Sequence, residues 1–183
     1  MSRTDARIRY TQGVLKQALL SFLQEKPINK ITVKEVCERA ELNRATFYAH
    51  YSDCFALLES IEEDLLEAFQ QSLKLVDSFD VTALIEAIYT MIEQQQQEAC
   101  RVLIFQNVCP NVLRRMISLA RGKSIAYWKR HLHHITEAEL EMLYTHLSNG
   151  LMHVVVEGYE KYSREEVVRF VNRIVQCSLS QFQ

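Results

Sequence analysis

Apolar residues recur every three or four positions along most of the chain, a spacing that places them on one face of an α-helix. The first such segment runs from Arg7 to Glu25. Pro27 ends it, because the residue before a proline is pushed out of the helical region. A second segment of about two turns follows Thr32, and a third covers Arg44 to His50. Since only a short turn joins these two segments, the pattern predicts a helix-turn-helix.

Short polar side chains mark where several helices begin. A Ser/Thr-x-x-Glu pattern, in which each side chain caps the backbone amide of the other residue, predicts a helix start. The pattern occurs at Thr32 with Glu35, at Thr136 with Glu139 and at Ser163 with Glu166. Asn43 is a good cap for the third helix, Ser52 or Asp53 for a fourth, and Pro110 suits the first turn of a later one. Together these signals predict an all-α fold of about nine helices.

The composition agrees with long helices and excludes several classes of protein. The 183 residues include only 4 Gly and 2 Pro, too few for the many tight turns of an all-β protein. No apolar run approaches the roughly 18 residues that span a bilayer, and the first ten residues are polar, so we expect neither a membrane segment nor a signal peptide. Five cysteines without a C-x-x-C pair predict no disulfide framework or zinc finger, and they favour a cytoplasmic location.

The sequence carries no motif that predicts catalysis or a cofactor. It contains no G-x-S-x-G, no phosphate-binding glycine loop and no H-E-x-x-H, so we expect no enzyme. His131, His133 and His134 lie close together in the sequence, and three imidazoles can bind a transition metal. Cations also suit the end of the helix where these residues lie, and we assign no metal to them.

Charge is distributed unevenly along the chain. Residues 1–55 carry nine Lys and Arg against six Asp and Glu, whereas the remainder carries 12 against 17. A basic N-terminal region on an acidic body is consistent with a polyanionic partner for that region. The excess is small, so the charge alone does not identify the partner.

The most specific pattern is the segment TVKEVCERAELNRATFYAHYSDCFALL, residues 32–58. It resembles the DNA-binding segment of TetR-type transcriptional repressors, in which a helix begins at Thr or Ser, a turn follows, and a Thr-aromatic-Tyr-x-His-aromatic helix reads DNA. The matching residues are Thr32, Asn43, Thr46, Phe47, Tyr48, His50 and Tyr51. The resemblance implies a three-helix DNA-binding domain over 1–52 and a helical ligand-binding and dimerisation domain over 53–183.

The start of the third helix is predicted to read base pairs. A recognition helix in the major groove contacts bases with side chains near its N-terminus, which here are Asn43, Arg44 and Thr46. Arg44 can form a bidentate pair with guanine, and Thr46 can contact a base edge or a phosphate. Phe47 and Tyr51 are four residues apart, and we expect both to pack on the inner helices.

Other groups of this segment are predicted to contact phosphates. Tyr48 and His50 flank the recognition helix with polar groups that can reach phosphate oxygens. The backbone amides near Thr32 and Val33, at the start of the second helix, can bind a phosphate if that helix points at the DNA backbone. These contacts would fix the position of the recognition helix without reading sequence.

The segment departs from the TetR-type pattern at two positions. The turn usually carries Gly where this chain has Glu41, so we expect either that Glu41 is forced to a positive φ, at a cost of about 1 kcal/mol, or that the turn adopts a slightly different shape. The family usually places a Lys on a phosphate where this chain has Cys54, and one phosphate contact is thereby lost.

The last two predicted helices have broad apolar faces, and we expect them to pack against a second copy as a four-helix bundle. The predicted interface residues are Leu140, Leu147, Leu151, Val155, Val171 and Ile174. Burial against the body of the same chain is the alternative. A homodimer would place two recognition helices in successive major grooves, so we expect a palindromic operator on double-stranded DNA.

The resemblance also implies how such a dimer is regulated. We expect a repressor that a small-molecule effector releases from its operator. The predicted pocket residues are Phe105, Met116, Tyr127 and Trp128. The alternative is a regulator without a small-molecule ligand, controlled by a protein partner and able to activate. A cavity of about a few hundred Å³ would favour the ligand, and a filled core with an exposed apolar patch would favour the partner.

Residues 99–136 contain seven Lys and Arg and no Asp or Glu. Such a stretch can line a pocket for an anionic effector or bind a partner. It can also be a solvated face that pairs with the acids of neighbouring helices. The sequence leaves these possibilities open.

Overall fold

The computed structural model describes residues 3–74, 81–94, 99–105, 110–159 and 161–182. Its regular elements within these ranges are all helical, which confirms the all-α prediction. The α-helices are α1 (Arg3–Leu23), α2 (Val33–Arg39), α3 (Arg44–Tyr48), α4 (Cys54–Lys74), α5 (Val81–Gln94), α6 (Pro110–His131), α7 (Glu137–Gly158) and α8 (Arg164–Leu179). A π-helical segment, Cys100–Phe105, lies between α5 and α6 and brings the helices of the described residues to nine. Short 3₁₀ turns occur at Ile28–Lys30 and Ser180–Phe182. None of the described helices is both long enough and apolar enough to cross a membrane.

Helices begin where the caps predict. All three Ser/Thr-x-x-Glu pairs form reciprocal capping boxes, starting at Thr32, Thr136 and Ser163. Asp53 caps α4, because its Oδ1 accepts a hydrogen bond of 2.8 Å from an amide of the first turn. α6 begins at Pro110, where the missing proline amide removes no helical hydrogen bond. These starts depend on residues a few positions apart, which is why the sequence predicts them well.

The chain divides into two compact units. One comprises Met1–Leu65 and Glu98–Val108, and the other comprises Leu66–Gln97 and Cys109–Gln183. The division falls within α4, so this helix contributes residues to both units. The domain bounds 1–52 and 53–183 refer to function, not to compactness, and they stay a prediction.

The core of the first unit is formed by the apolar faces of α1, α2, α3 and the first part of α4. Its fully buried side chains include Leu15, Leu19, Val36, Phe47 and Leu57. An ion pair joins α1 to α4 at the edge of this core, with Lys16 Nζ 2.5 Å from Asp64 Oδ2. α1 packs on α2, α2 packs on α3, and the ion pair ties α1 to α4, so the helix-turn-helix has a fixed base.

The second unit is a layered arrangement of helices. α6 packs on α7, and α8 packs on both α5 and α7. Side chains at its centre include Ile92, Met116, Leu140 and Val171, each no more than 1% exposed. Arg164 of α8 forms an ion pair with Glu86 of α5. The apolar faces of α7 and α8 are therefore largely used within the chain itself.

Candidate nucleic-acid interface

The start of α3 is held by its capping residue. Asn43 has extended backbone angles (φ −82°, ψ 157°), and its Oδ1 accepts hydrogen bonds from the Thr46 amide at 2.7 Å and the Thr46 hydroxyl at 3.0 Å. The predicted cap is thus confirmed. The Thr46 proton is used inside the cap, so its hydroxyl is left with acceptor capacity for an external partner.

The inner side of α3 is aromatic. Phe47 is 0% exposed and Tyr51 is 8% exposed, and their ring centroids lie 6.0 Å apart. This confirms that both residues pack inside, as their spacing predicts. Because the inner face is anchored by large rings, the opposite face of this short helix is fixed toward solvent.

The outer side of α3 carries the residues predicted to meet DNA. Arg44 is exposed and Tyr48 is 57% exposed, and the two lie four positions apart on one helical face. The Tyr48 ring packs edge-on against Phe47, with 5.7 Å between centroids. His50 follows the end of α3 and is half-buried. One guanidinium and one phenol therefore project together from a rigid base.

The start of α2 has the predicted capping box. The Thr32 amide donates to Glu35 Oε2 at 2.9 Å, and the Glu35 amide donates to Thr32 Oγ1 at 3.3 Å. The capping box already uses the Thr32 amide, and the phosphate contact at the start of α2, near Thr32 and Val33, stays a prediction. Val33 is the half-buried first residue of α2.

A cation neutralises the carboxylate at this helix start. Lys26 Nζ lies 2.6 Å from Glu35 Oε1. This hydrogen bond, together with those from Thr32, lowers the pKa of Glu35 to about 2. Glu35 is thus ionised near the predicted interface, and Lys26 offsets its repulsion of a phosphate.

The turn between α2 and α3 has the predicted backbone conformation. Glu41 has φ 54°, in the left-handed region that favours glycine. The Leu42 amide donates to the Cys37 carbonyl at 2.9 Å, which closes the end of α2 around this residue. The chain keeps the turn geometry and places a carboxylate where the TetR-type pattern usually has glycine.

Cys54 does not replace the missing lysine. The side chain is 4% exposed, and burial raises the pKa of its thiol to about 11. A neutral buried thiol makes no phosphate contact, which agrees with the expected loss at this position. The neighbouring Asp53 carboxylate caps the same helix.

The sequence analysis missed the residues of α1 that lie beside the recognition helix. A groove of about 430 Å³ is lined by Arg7, Tyr10 and Thr11 of α1 together with Asn43, Thr46 and His50. Tyr10 is 73% exposed there. To predict that a polar face of α1 lies beside α3, one must know how the two helices pack. The run Arg7, Arg9, Tyr10 is only a weak sequence signal for such a face.

Comparisons with known proteins fit this geometry. No protein-family model matches the chain. Over 62 residues it is 37% identical to the uncharacterized HTH-type transcriptional regulator YxbF of Bacillus subtilis (strain 168), a match that covers 34% of this chain and only 16% of that protein. The structure is similar to the TetR transcriptional regulator from Streptococcus agalactiae 2603V, with a TM-score of 0.68 and 22% identity over 94% of this chain and 97% of that chain. This chain has the TetR-type fold.

Two further structures support the same conclusion. The dihydroxyacetone kinase operon activator DhaS gives a TM-score of 0.63 at 16% identity, covering 94% of this chain and 98% of that chain. A TetR-family transcriptional regulator from Mesorhizobium loti MAFF303099 gives 0.61 at 15% identity, covering 100% and 99%. The TetR-type resemblance of residues 32–58 is therefore confirmed at the level of the fold.

The second unit of this TetR-type fold contains a small apolar cavity of about 70 Å³. Of the predicted pocket residues, Trp128 lies in its wall, packed edge-on against Tyr144 with 5.9 Å between ring centroids. Met116 is fully buried outside the wall, and Tyr127 packs on the His131 ring instead. The side chain of Phe105 lies outside the described part of the structure.

The tail helices of the TetR-type fold require a correction to the predicted dimer interface. Four of the six predicted residues are 0–3% exposed, namely Leu140, Leu147, Val155 and Val171. The chain's own helices cover them, so they are not available to a second copy. Leu151 is half-buried, and Ile174 is 39% exposed beside Phe170 at 49%. An outward apolar strip thus remains on α8.

Part of the basic stretch over residues 99–136 pairs with acids. Arg121 Nε donates to Glu141 Oε2 at 3.2 Å, and Lys129 Nζ lies 2.6 Å from Glu137 Oε1. Both acids belong to α7, as expected for a solvated face paired with a neighbouring helix. Among the described residues, no group of three His, Cys, Asp or Glu side chains is arranged to hold a metal ion.

Proposed function

We propose that this chain is a DNA-binding transcriptional regulator that acts as a homodimer on a palindromic operator. The observation that carries the proposal is the arrangement of α3, in which Phe47 is completely buried while Arg44 and Tyr48 are exposed on the opposite side. A guanidinium suited to guanine and a phenol suited to a phosphate then approach DNA together. The TetR-type fold supports the same function.

Each protomer would insert one α3 into the major groove. A twofold dimer would place the two recognition helices about 34–36 Å apart, on one face of the DNA. The exposed apolar strip formed by Phe170 and Ile174 supports a dimer through α8, because large apolar side chains at this exposure gain from burial against a second copy. The operator would then have two inverted half-sites.

Repression released by a small effector is the proposed regulation. α4 carries Asp64, which pairs with Lys16 in the first unit, and Phe69, which lines the cavity of the second unit. A ligand that shifts α4 would alter the separation of the recognition helices. The ligand can shift this equilibrium only as far as its affinity for the DNA-binding state differs from its affinity for the released state.

The size of the cavity favours a second candidate for regulation. At about 70 Å³ it is well below the roughly 300 Å³ at which pockets for drug-sized ligands begin. A regulator controlled by a protein partner, and able to activate, agrees with this small volume. The similar fold of DhaS, an operon activator by name, supports that alternative.

Selection of binding sites from random DNA tests the central proposal. We expect selection to enrich an inverted repeat whose half-site centres are one helical turn apart. We also expect each selected duplex to bind one dimer. Selection of no sequence, or of a single half-site without symmetry, contradicts the proposed mode. Placing the selected site upstream of a reporter then distinguishes repression from activation.

A further inference from the structure

Among the described residues, no charged side chain lines the cavity of the second unit. The described side chains that bound it belong to α4, α5, α6 and α7, and none of them is Lys, Arg, His, Asp or Glu. The lining residues that carry a side-chain nitrogen or oxygen are Ser124, Ser148, Tyr144 and Trp128. An ion that entered would lose its hydration without a partner, so the cavity is selective for uncharged molecules.

Two hydroxyls in this wall, those of Ser124 and Ser148, are buried without a hydrogen-bond partner among the described residues, and Ser124 is the more deeply buried residue, at 2% exposed. Two other helical serines bond back to the carbonyl four residues earlier, Ser72 to Ala68 at 3.1 Å and Ser178 to Ile174 at 2.9 Å. A buried hydroxyl without a partner is unfavourable. Its donor and acceptor are thus left for whatever occupies the cavity.

The facing helix supplies the other polar groups of the wall. Tyr144 donates its hydroxyl proton to the Ile117 carbonyl at 2.6 Å, and Ser148 lies beside that hydroxyl. Burial raises the pKa of Tyr144 to about 12, so this phenol stays neutral. The remaining wall is aliphatic or aromatic, including Phe69 and Leu147.

We infer that this cavity binds a short, uncharged, mainly apolar molecule with one hydroxyl or carbonyl group, which hydrogen-bonds to Ser124. The volume sets the size, because about 70 Å³ lies between the space for one water and the roughly 150 Å³ that accepts benzene. Such a ligand has about four or five non-hydrogen atoms. The inference that this molecule is the effector rests on the proposed regulation. The inference that the cavity binds it does not.

The single tryptophan of the chain provides a direct readout. Trp128 lies in the cavity wall, so its fluorescence reports occupancy of this cavity without labels. Butan-2-ol, titrated into the full-length protein, is expected to give a saturable change in fluorescence and a rise in Tm. Butanoate, similar in size but charged, is expected to give neither.

Variants test whether the signal comes from this cavity. Ser124→Ala removes the proposed hydrogen bond and should weaken butan-2-ol binding about 2- to 10-fold. Ala120→Leu fills the cavity from α6 and should abolish binding, whereas Ala126→Leu, at an exposed position of the same helix, should leave it unchanged. The conservative Ser124→Ala keeps the test decisive if Ala120→Leu does not fold.

Several outcomes would overturn the inference. They are no saturable response to butan-2-ol, an equal response in Ala120→Leu, equal affinity in Ser124→Ala, or binding of butanoate as strong as that of the alcohol. The first outcome means that the cavity holds water only. Operator binding is measured separately on selected DNA, so loss of the ligand would not be confused with failure of the proposed regulator. Release of DNA by butan-2-ol in the wild type, but not in Ala120→Leu, would link the two.

Discussion

Lys26 Nζ and Glu35 Oε1 lie 2.6 Å apart, at the point where the chain enters the helix-turn-helix. The same carboxylate closes the capping box of α2 by accepting the Thr32 amide at 2.9 Å. Glu35 therefore joins the segment before α2 to the helix itself. Its ionised state is favoured first by Lys26 and then by Thr32, and both effects hold its pKa at about 2.

This pair predicts a dependence of stability on pH. The pKa of Glu35 is lower in the folded protein than its ordinary value of 4.5, so its contribution is fully present above that value. The contribution is lost as the pH falls from about 4.5 to about 2. We expect the difference in free energy of unfolding between wild type and Glu35→Gln to shrink over this range in urea titrations. Lys26→Met should reduce the pH dependence as well, and a constant difference would contradict the assignment.

Arg44 is predicted to determine base preference. Arg44→Ala should cost about 1–3 kcal/mol on the preferred half-site and relax selection at one base pair of each half-site. Arg44→Lys keeps the charge but loses the planar fork, so it should retain affinity for random DNA while losing the preference. Binding-site selection with each variant measures both effects. An unchanged consensus in Arg44→Ala would rule out this contact.

Tyr48 is predicted to act on phosphates alone. Tyr48→Phe removes only the hydroxyl and keeps the ring against Phe47, so binding to specific and to random DNA should weaken by similar factors. His50→Ala should behave in the same way. Tyr162→Phe is a matched control, since Tyr162 is 61% exposed, close to the 57% of Tyr48, but lies in the second unit. Unequal losses on the two DNAs, measured by fluorescence anisotropy, would assign Tyr48 to base readout instead.

Local signals in the sequence predict much of this molecule. The caps at Thr32, Asn43 and Ser163 form as expected because each involves residues three positions apart. The positive φ of Glu41 is equally local, since a helix-turn-helix of this spacing imposes it on whichever residue occupies that position. The TetR-type pattern of residues 32–58 then places these elements in a known arrangement.

Features that depend on long-range packing are not predictable in this way. Leu140 and Val171 have the spacing of an interface, but α6 and α5 already cover the faces on which they lie. Residues distant in sequence form the groove that contains Tyr10 and His50. The same is true of the cavity wall that contains the Ser124 hydroxyl. A hydrophobic pattern shows that a face is buried, whereas the partner that buries it is decided by the whole fold.

The exposed strip of α8 makes the dimer testable. Ile174→Glu should convert a dimer into a monomer at micromolar concentration, because it places a charge in a proposed apolar contact. Leu119→Glu is the matched control, since Leu119 is 40% exposed on α6 and Ile174 is 39% exposed. Sedimentation velocity separates the two species. A dimer that survives Ile174→Glu would place the interface elsewhere, and a monomeric wild type would remove the twofold mechanism.

Glu41 offers a stabilising change at the edge of the DNA-facing groove. A non-glycine residue at φ 54° is strained, so Glu41→Gly should raise the free energy of unfolding by about 0.5–1 kcal/mol. Glu38→Gly, at the last residue but one of α2, should lower it by about the same amount, because glycine increases the conformational freedom of the unfolded chain and relieves no strain in the helix.

A third variant distinguishes the effect of the Glu41 charge from the effect of its backbone strain. Glu41→Gln keeps the backbone strain and removes the negative charge, so it should leave stability nearly unchanged. Because Glu41 lines the same groove as Asn43 and Thr46, both Glu41→Gln and Glu41→Gly should strengthen DNA binding and lessen repulsion of the phosphates. Urea unfolding and DNA titrations on the same samples measure the two effects. A Glu41→Gly protein that is less stable than wild type would show that the turn does not need glycine, and that other contacts hold this backbone conformation.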